Sequence, residues 1–501
     1  MRFPRAAGVL LHPTSLPGPH GSGDLGLSSR HFVEWLVVGG QRLWQMLPLG
    51  DIGPGNSPYM SPSAFAGNVL LVDLDELRVR GWLDEADLAD PPGASLARID
   101  FAAVTPWRME RLARAAQRFQ EQATAEERAD FEAFQARHAV WLSDYTLFRA
   151  LDEHFDGRFW CDWDAPLAHR DPAALAAARQ AHAPRIAFWA FCQWCFFRQW
   201  LALRAYANER GVRIIGDVPI FVAYQSAETW AHPELFELDA DGRQTVVAGV
   251  PPDLFSATGQ HWGNPLYRWP AHAADGYAWW IHRIRHTFEL VDIARIDHFR
   301  GFAAYWEIPG GETTAINGRW VPGPADALFE AVTRELGDLP IIAEDLGVIT
   351  PDVDALRRRL GLPGMCVLQF AFGQGDGGQN RYLPHNHEAL SVCLTGSHDN
   401  DTSAGWWSQQ PESVRDQLRE YFSVDGLDVA GTLVRAAFAS VADTAVVPMQ
   451  DVLRLGGEHR MNLPGTATGN WSWRFSWSQV GPWPADALRR MVELYGRAGL
   501  T

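Results

Sequence analysis

Eight short apolar runs constrain the fold of this chain more than any other sequence feature. Each run is followed by a polar loop with Gly or Pro, and helical patterns such as residues 351–361 separate several of them. Continuous apolar runs of this length are typical of parallel strands that are buried on both faces. Eight such strands alternating with helices predict an α/β fold, a (β/α)8 TIM barrel. The runs are 8–12, 42–49, 212–222, 290–299, 339–347, 365–372, 392–399 and 444–453.

One stretch of the chain, residues 72–210, departs from this alternation. It is rich in Ala, Arg, Glu and Gln, and its apolar residues are spaced three to four apart, as in amphipathic helices. We predict that residues 1–501 form a single barrel domain and that about 72–210 form a mainly helical insertion within it. The insertion is expected to end in a long helix at about 184–210, directly before the third run.

The charge and the missing lysine exclude several functional classes. Asp and Glu number 60 against 43 Lys and Arg, a formal net charge of −17, and such a field repels nucleic acid and anionic membrane surfaces. The chain contains no lysine at all. A Schiff-base lysine, a pyridoxal-phosphate anchor and a complete Walker loop are therefore impossible. The 23 Trp residues favour a carbohydrate ligand weakly, because flat aromatic faces stack on sugar rings.

The cysteine content and the hydropathy pattern predict a cytoplasmic location. Five cysteines are few for 501 residues and odd in number, which argues against a disulfide framework. The first residues contain only a short apolar run before Pro13, whereas a secretory signal needs a longer one. No stretch reaches 18 consecutive apolar residues, so no membrane span is expected.

Four acidic residues lie at or near the carboxyl ends of predicted strands. They are Asp217, Asp297, Glu344 and Asp399. In (β/α)8 barrels the active site lies at this end of the strands. An acid within an apolar run is costly unless it is paired or used in chemistry, and four at equivalent positions are difficult to explain as separate ion pairs. We therefore predict a functional carboxylate cluster.

The neighbours of two of these acids predict different protonation states. Arg295 and Asp297 are two residues apart on a strand, so their side chains share a face, and we expect the cation to lower the pKa of Asp297 and keep it ionised. The apolar residues before Glu344 are expected to raise its pKa, as a general acid requires. Two carboxyls with separated pKa values are the machinery of glycoside cleavage. His298 and His398, beside two of the acids, are expected to contact sugar hydroxyls.

The sequence resembles the amylomaltases, the 4-α-glucanotransferases of glycoside hydrolase family 77, over nearly its whole length. The resemblance implies a (β/α)8 barrel with insertions and without the C-terminal β-sandwich of the related α-amylases. The motifs that carry the resemblance are LLHPTSLPGPHGSGDLG (10–26), SPYMSPSAFAGN (57–68), GDVPIFVA (216–223), PPDLFSATGQHWGNPLY (251–267), ARIDHFRG (294–301), AEDLG (343–347), TGSHDNDT (395–402) and MNLPGTATGNWSWR (461–474).

The resemblance also implies a role for each site residue. Asp297 matches the nucleophile, Glu344 the acid/base, and Asp399 the third acid, which holds sugar hydroxyls and stabilises the transition state. The expected substrates are α-1,4-glucans, as donor and acceptor, with glucose as acceptor or product, and neither a cofactor nor a metal is expected. Residues implied in substrate binding are Arg295, His298, His398 and Asp217 at the donor subsite, Trp262 and Asn264 in a lid loop, and Tyr59 and Asn470 as further glucan contacts.

Two other functions remain open at this stage. An α-1,4-glucan hydrolase would use the same two carboxyls, with water in place of the acceptor sugar. A non-catalytic glucan-binding protein would keep the aromatic residues without the chemistry, but the intact Asp297, Glu344 and Asp399 argue against it. Departures from the family pattern at Pro54, Asn56, Met60, Tyr224 and Gln225 affect expected acceptor contacts and leave the preferred substrate length open.

Overall fold

The computed structural model of the chain describes residues 3–93, 97–252, 256–373 and 377–499. Its strands form two sheets, one of eight strands and one of four. The strands are β1 Ala6–Leu10, β2 Leu43–Gln45, β3 Arg213–Val218, β4 Val246–Val250, β5 Gln260–Pro265, β6 Ile293–Ile296, β7 Ala304–Pro309, β8 Arg319–Pro322, β9 Ile341–Ala343, β10 Gly364–Val367, β11 Ser391–Leu394 and β12 Thr444–Pro448.

The eight-stranded sheet is the predicted barrel. Its strands run parallel in the order β10-β11-β12-β1-β2-β3-β6-β9. The first and last strands approach each other, and the backbone N–H of Ala343 donates to the carbonyl of Pro363, 3.0 Å away, directly before β10. Each of the eight apolar runs contains or overlaps one barrel strand. The TIM-barrel prediction is therefore confirmed.

The four-stranded antiparallel sheet was not predicted. Its order is β5-β4-β7-β8, and its strands lie in the connections that follow β3 and β6 of the barrel. The segment 251–267 was expected to be a loop, but β5 occupies its second half, so that expectation is wrong for Gln260–Pro265. Its strands β5 and β8 are short and partly exposed, and they lack the continuous apolar runs by which the barrel strands are recognised.

Helices occupy most of the remaining described chain, including the segment between β2 and β3. After β12 the described residues form helices and turns, and they contain no β-sandwich. The helices are α1 Leu27–Val38, α2 Leu74–Val79, α3 Phe101–Gln122, α4 Ala125–Arg137, α5 Ala139–His154, α6 Ala165–Ala168, α7 Pro172–Ala181, α8 Ala183–Glu209, α9 Ala227–Ala231, α10 Trp269–Ala274, α11 Ala278–Leu290, α12 Asp326–Leu336, α13 Pro351–Arg359, α14 Ser403–Gln409, α15 Glu412–Phe422, α16 Val429–Ala439, α17 Met449–Val452 and α18 Pro482–Leu494.

The long helix α8 joins the helical segment to the barrel. It packs against α3, α4 and α5 on one side and against β3 on the other. Its middle, from Phe188 to Phe197, is buried around the whole circumference and is apolar except for Gln193, whose amide bonds to the backbone of Gly67. Cys192 and Cys195 lie in this buried stretch, and burial raises the pKa of both thiols, as expected of core cysteines. None of the helices in the described ranges is long and apolar enough to cross a membrane.

Candidate active site

The register between β3 and β6 places the first charged pair of the site. Asp217 on β3 is the direct register partner of Arg295 on β6, so the two side chains project from neighbouring strands on the same side of the sheet. Nη1 of Arg295 donates to both carboxylate oxygens of Asp217, at 2.6 and 2.7 Å. Both side chains are buried, and each charge compensates the other.

Asp297 follows the last residue of β6 and shares the same cation. Nη1 of Arg295 lies 3.0 Å from Oδ1 of Asp297, as the two-residue spacing predicted. The predicted direction of the pKa shift is nevertheless wrong. Loss of hydration outweighs the Arg295 charge and, together with the carboxylates of Asp217 and Asp399, raises the pKa of Asp297 to about 6. The carboxyl still ionises near neutral pH, and 27% of its side chain remains exposed at the barrel mouth.

Glu344 directly follows β9, the neighbour of β6 in the barrel. The backbone N–H of His298 donates to Oε2 of Glu344 at 2.7 Å, and the N–H of Leu346 donates to Oε1 at 2.7 Å. His298 adopts a left-handed backbone conformation, with φ 50° and ψ 47°, directly after Asp297. This conformation costs a residue with a side chain about 1–3 kcal/mol, and residues in such conformations cluster at functional sites.

The environment of Glu344 keeps this carboxyl protonated at neutral pH. Burial, followed by the charge of Asp297, raises the pKa of Glu344 to about 8, against the opposing effects of Arg295 and the two backbone N–H groups. The predicted direction of this shift is confirmed. The two carboxyls interact, so their titration is shared, but Asp297 is the one that loses its proton first.

Tyr59 joins Asp217 to His398 by hydrogen bonds, and His398 lies beside Asp399. The hydroxyl of Tyr59 lies 2.7 Å from Oδ2 of Asp217 and 2.8 Å from Nε2 of His398. The single hydroxyl proton is donated to the carboxylate, which can only accept, so Nε2 of His398 carries a proton and donates to Tyr59. The same Nε2 lies 3.3 Å from Oδ2 of Asp399.

Asp399 lies in the loop between β11 and α14, five residues beyond the end of the strand. Its side chain is 45% exposed, the most open of the predicted acids in the barrel mouth. Asn462 Nδ2 donates to its Oδ1 at 2.5 Å. The structure therefore brings Asp217, Asp297 and Asp399 into one network at the carboxyl ends of β3, β6 and β11, with Glu344 beside it at the end of β9.

Trp262 and Asn264, the two predicted lid residues, lie on β5 and differ in their surroundings. The indole ring of Trp262 meets the imidazole of His298 edge to face, with 4.8 Å between centroids, so it lies beside the residue that follows Asp297. Asn264 is buried, and its amide donates to the carbonyl of Val222 at 2.8 Å. That bond fixes the segment after β3. Phe255, in the same motif at 251–267, lies outside the described residues.

Asn470 holds a loop together. Its Oδ1 accepts from the backbone N–H of Leu463 at 2.9 Å, and its Nδ2 donates to the backbone carbonyl of Thr466 at 3.0 Å.

The next residue, Trp471, was not singled out from the sequence, although it lies in the quoted motif at 461–474. Its ring packs against Tyr59 and His398, with centroids 5.7 and 6.0 Å apart, and forms part of the wall beside them.

The arrangement combines a carboxylate with a protonated carboxyl in one site. Asp297 ionises near pH 6 and Glu344 near pH 8, so at neutral pH one can attack a carbon while the other donates a proton. Around them lie further hydrogen-bonding groups in Asp217, Tyr59 and His398. This combination suits the cleavage of an acetal bond in a neutral polyhydroxylated substrate.

Comparison with known proteins agrees with this chemistry. The protein family described as 4-alpha-glucanotransferase, glycoside hydrolase family 77, matches residues 11–479. The chain is 50% identical to the 4-alpha-glucanotransferase of Thermus thermophilus, over 98% of this chain and 99% of that one, and 45% identical to that of Synechocystis, over 98% of both. The solved structure of amylomaltase from Streptococcus agalactiae in complex with acarbose superposes with a TM-score of 0.95, at 37% identity over 98% of this chain and 99% of that one. The chain belongs to glycoside hydrolase family 77, the 4-alpha-glucanotransferases.

Proposed function

We propose that the chain, a 4-alpha-glucanotransferase, moves a segment of one α-1,4-glucan to the 4-hydroxyl of another glucan or of glucose, with Asp297 as nucleophile and Glu344 as acid and base. The observation that carries this assignment is the placement of the two carboxyls at the ends of neighbouring strands, with Arg295 bonded to Asp297 and the backbone N–H of the next residue, His298, bonded to Glu344. The order of the two pKa values, about 6 for Asp297 and about 8 for Glu344, supports it. Only this order supplies an ionised nucleophile and a proton donor at the same neutral pH.

The first step forms a covalent glycosyl-enzyme. The carboxylate of Asp297 attacks the anomeric carbon as the bond from that carbon to the glycosidic oxygen breaks. The proton of Glu344 passes to that oxygen, and the first product leaves with a free 4-hydroxyl at its new non-reducing end. Arg295, bonded to Asp297, orients the attacking carboxylate, and the N–H groups of His298 and Leu346 hold the Glu344 carboxyl in place.

The second step reverses the roles at Glu344. Its carboxylate, left ionised by the first step, accepts the proton of the acceptor's 4-hydroxyl. The acceptor oxygen attacks the anomeric carbon, and the bond to Asp297 breaks. Two inversions at the same carbon retain the α configuration of the glucan.

The remaining predicted residues are proposed to bind the two sugars. Asp399 accepts hydrogen bonds from hydroxyls of the donor sugar, because its carboxylate is the most open to the site. Trp262 covers the reacting centre from the side of His298. Further proposed contacts come from Asp217, Tyr59, His398 and Arg295 at the donor subsite, and from Asn264 and Asn470, which also hold the surrounding backbone.

A product analysis with maltotriose as the sole substrate tests the proposal. A transferase yields glucose and a series of longer maltooligosaccharides with little net gain in reducing ends. A hydrolase, the second candidate, raises the reducing ends steadily without longer products. A glucan-binding protein without activity leaves maltotriose intact. Either of these last two results contradicts the proposed reaction.

We also propose that residues 1–501 act as one catalytic barrel, with about 72–210 as its helical insertion, and that the chain works in the cytoplasm. All five cysteines are free thiols, which suits a reducing compartment. Activity measured in separated cell fractions tests the location. A chain with residues 72–210 replaced by a short linker tests whether the barrel can fold without the helices.

A further inference from the structure

Two side chains attach Asp399 to a neighbouring loop, one through its carboxylate and one through its backbone carbonyl. Nδ2 of Asn462 donates to Oδ1 of Asp399 at 2.5 Å. The guanidinium of Arg460 donates to the backbone carbonyl of Asp399 and, through Nε, to the carbonyl of Asn462 at 2.5 Å. Arg460 thus joins the two backbones, and Asn462 reaches the carboxylate from a fixed position.

The other polar contact to this carboxylate in the described chain is weaker. Nε2 of His398 lies 3.3 Å from Oδ2 of Asp399, longer than a charge-assisted hydrogen bond of about 2.7–2.9 Å, and its proton is already directed to Tyr59. Because the Asp399 side chain is 45% exposed, packing does little to fix its orientation. Asn462, by contrast, is buried with 9% of its surface exposed.

We propose that Asn462 is a positioning residue, which fixes Oδ1 of Asp399 and leaves Oδ2 for the hydroxyls of the donor sugar. This inference rests on the proposed role of Asp399 in transition-state stabilisation. A neutral amide suits the task, since it donates a hydrogen bond without adding a charge that would weaken the carboxylate's hold on a developing positive centre. A carboxylate that is already oriented pays no reorganisation cost as the reaction proceeds.

The first experiment is a double-mutant cycle on maltotriose, with Asn462→Ala, Asp399→Ala and the two combined. A hydrogen bond to a charged group corresponds to about 10- to 150-fold in rate when it is lost from the transition state. We expect Asn462→Ala alone to lower kcat by about this factor with a smaller change in KM. In the Asp399→Ala background the same substitution should lower kcat by less than about twofold, because its target is gone.

A matched control exists at the opposite end of the barrel. Nδ2 of Asn208 donates to Oδ2 of Asp292, 2.8 Å away, at the amino end of β6. This pair is also an asparagine bonded to an aspartate, but it lies remote from the barrel mouth. Asn208→Ala should lower the melting temperature slightly and leave kcat unchanged, so an equal loss of kcat in both asparagine variants would overturn the proposal.

The second experiment replaces the neutral side chain of Asn462 by an acidic one. Asn462→Asp places a second carboxyl beside Asp399, and two carboxylates that share a site raise one pKa strongly. A proton shared by the pair would neutralise Asp399, so the acidic limb of the pH–kcat profile should move to higher pH than in the wild type. A structural role alone would lower the rate at every pH without moving the limb, and an unmoved limb would contradict the proposal.

The outcomes separate this inference from the function on which it rests. If Asp399→Ala retains the wild-type kcat, the proposed role of Asp399 is wrong and the inference falls with it. If Asp399→Ala is impaired but Asn462→Ala is not, the role of Asp399 stands and the positioning by Asn462 is refuted. If Asn462→Ala loses the same factor in both backgrounds, Asn462 acts independently of Asp399, which also refutes the proposal.

Discussion

The backbone N–H of His298 donates a 2.7 Å hydrogen bond to Oε2 of Glu344, so the residue that follows the proposed nucleophile holds the proposed acid. The left-handed conformation of His298 turns the chain at this point. In the other direction, the backbone N–H of Glu344 donates to the carbonyl of Ile296 at 3.0 Å, just before Asp297. The two carboxyls are therefore positioned by one shared piece of backbone between β6 and β9.

This arrangement predicts retention at the anomeric carbon. A retaining pair of carboxyls lies about 5–5.5 Å apart, whereas an inverting pair needs about 6.5–9.5 Å to admit a water molecule. We expect the Asp297 and Glu344 carboxyls to lie near the shorter range in a crystal structure, and the newly formed glycosidic bonds of the longer products to be α by proton NMR. A newly formed β bond would contradict the double-displacement mechanism.

Asp297→Asn should remove the nucleophile with almost no change in shape. We expect kcat on maltotriose to fall at least about 10³-fold, while calorimetry still detects glucan binding. The control is Asp292→Asn, at the other end of β6, where the carboxylate pairs with Arg204 away from the barrel mouth. That variant should lose stability and keep its kcat; a comparable loss in both would point to damage to β6 in place of lost chemistry.

Glu344→Gln should affect substrates according to their leaving group. A natural glucan needs the proton of Glu344 to leave, whereas a fluoride leaving group does not. We expect fluoride release from α-maltosyl fluoride in the first turnover to be reduced far less than glucose release from maltotriose. Equal losses in the two assays would show that Glu344 is not the acid.

The rate should depend on pH with a limb on each side of neutrality. Below about pH 6 Asp297 becomes protonated and loses its nucleophilicity, and above about pH 8 Glu344 loses the proton that the leaving group requires. A profile of kcat/KM against pH measures both limbs, which belong to the interacting pair. With α-maltosyl fluoride the alkaline limb should weaken, and an unchanged alkaline limb would contradict the assignment of Glu344.

The raised pKa of Glu344 predicts that the folded protein is less stable at alkaline pH. The pKa of Glu344 is higher in the folded protein than in the unfolded chain. As the pH rises above the ordinary pKa, the unfolded chain loses this proton first, so the free energy of unfolding falls. Below the ordinary pKa both states keep the proton and stability is unaffected. Glu344→Gln removes the ionisable group. The variant should therefore melt at a higher temperature than the wild type at pH 9, and the difference should shrink towards pH 4. A constant difference across this range would show that ionisation of Glu344 is not its cause.

Trp262→Ala should favour hydrolysis over transfer. Transfer to a sugar competes with water, so it requires a reacting centre that is covered and an acceptor held in attack geometry. Because Trp262 packs edge to face on His298, its removal should open that centre. We expect a higher ratio of new reducing ends to longer products from maltotriose. The control is Trp483→Ala, a half-exposed tryptophan on α18, which should leave the ratio unchanged.

The barrel and the four acids were predictable because their signals are local. A parallel strand buried on both faces must be apolar along its length, so each run was visible in the sequence without knowledge of its neighbours. The acids at the ends of those runs, including Asp297 after β6 and Glu344 after β9, were conspicuous for the same reason. Strands β5 and β8 of the small sheet were missed, because they are short and partly exposed and carry no such pattern.

What the sequence by itself determined is the order of the strands, the family, and the chemical identity of the groups at the strand ends. Only the tertiary structure decided how those groups act on one another. The pairing of Asp217 with Arg295 depends on the register between β3 and β6, and the bond from Asn462 to Asp399 joins residues 63 positions apart. The net rise in the pKa of Asp297 went against the sequence-based expectation, because dehydration depends on everything that packs around a carboxyl. Spacing along a chain shows which charge is near, but only the folded surroundings show how much water is lost.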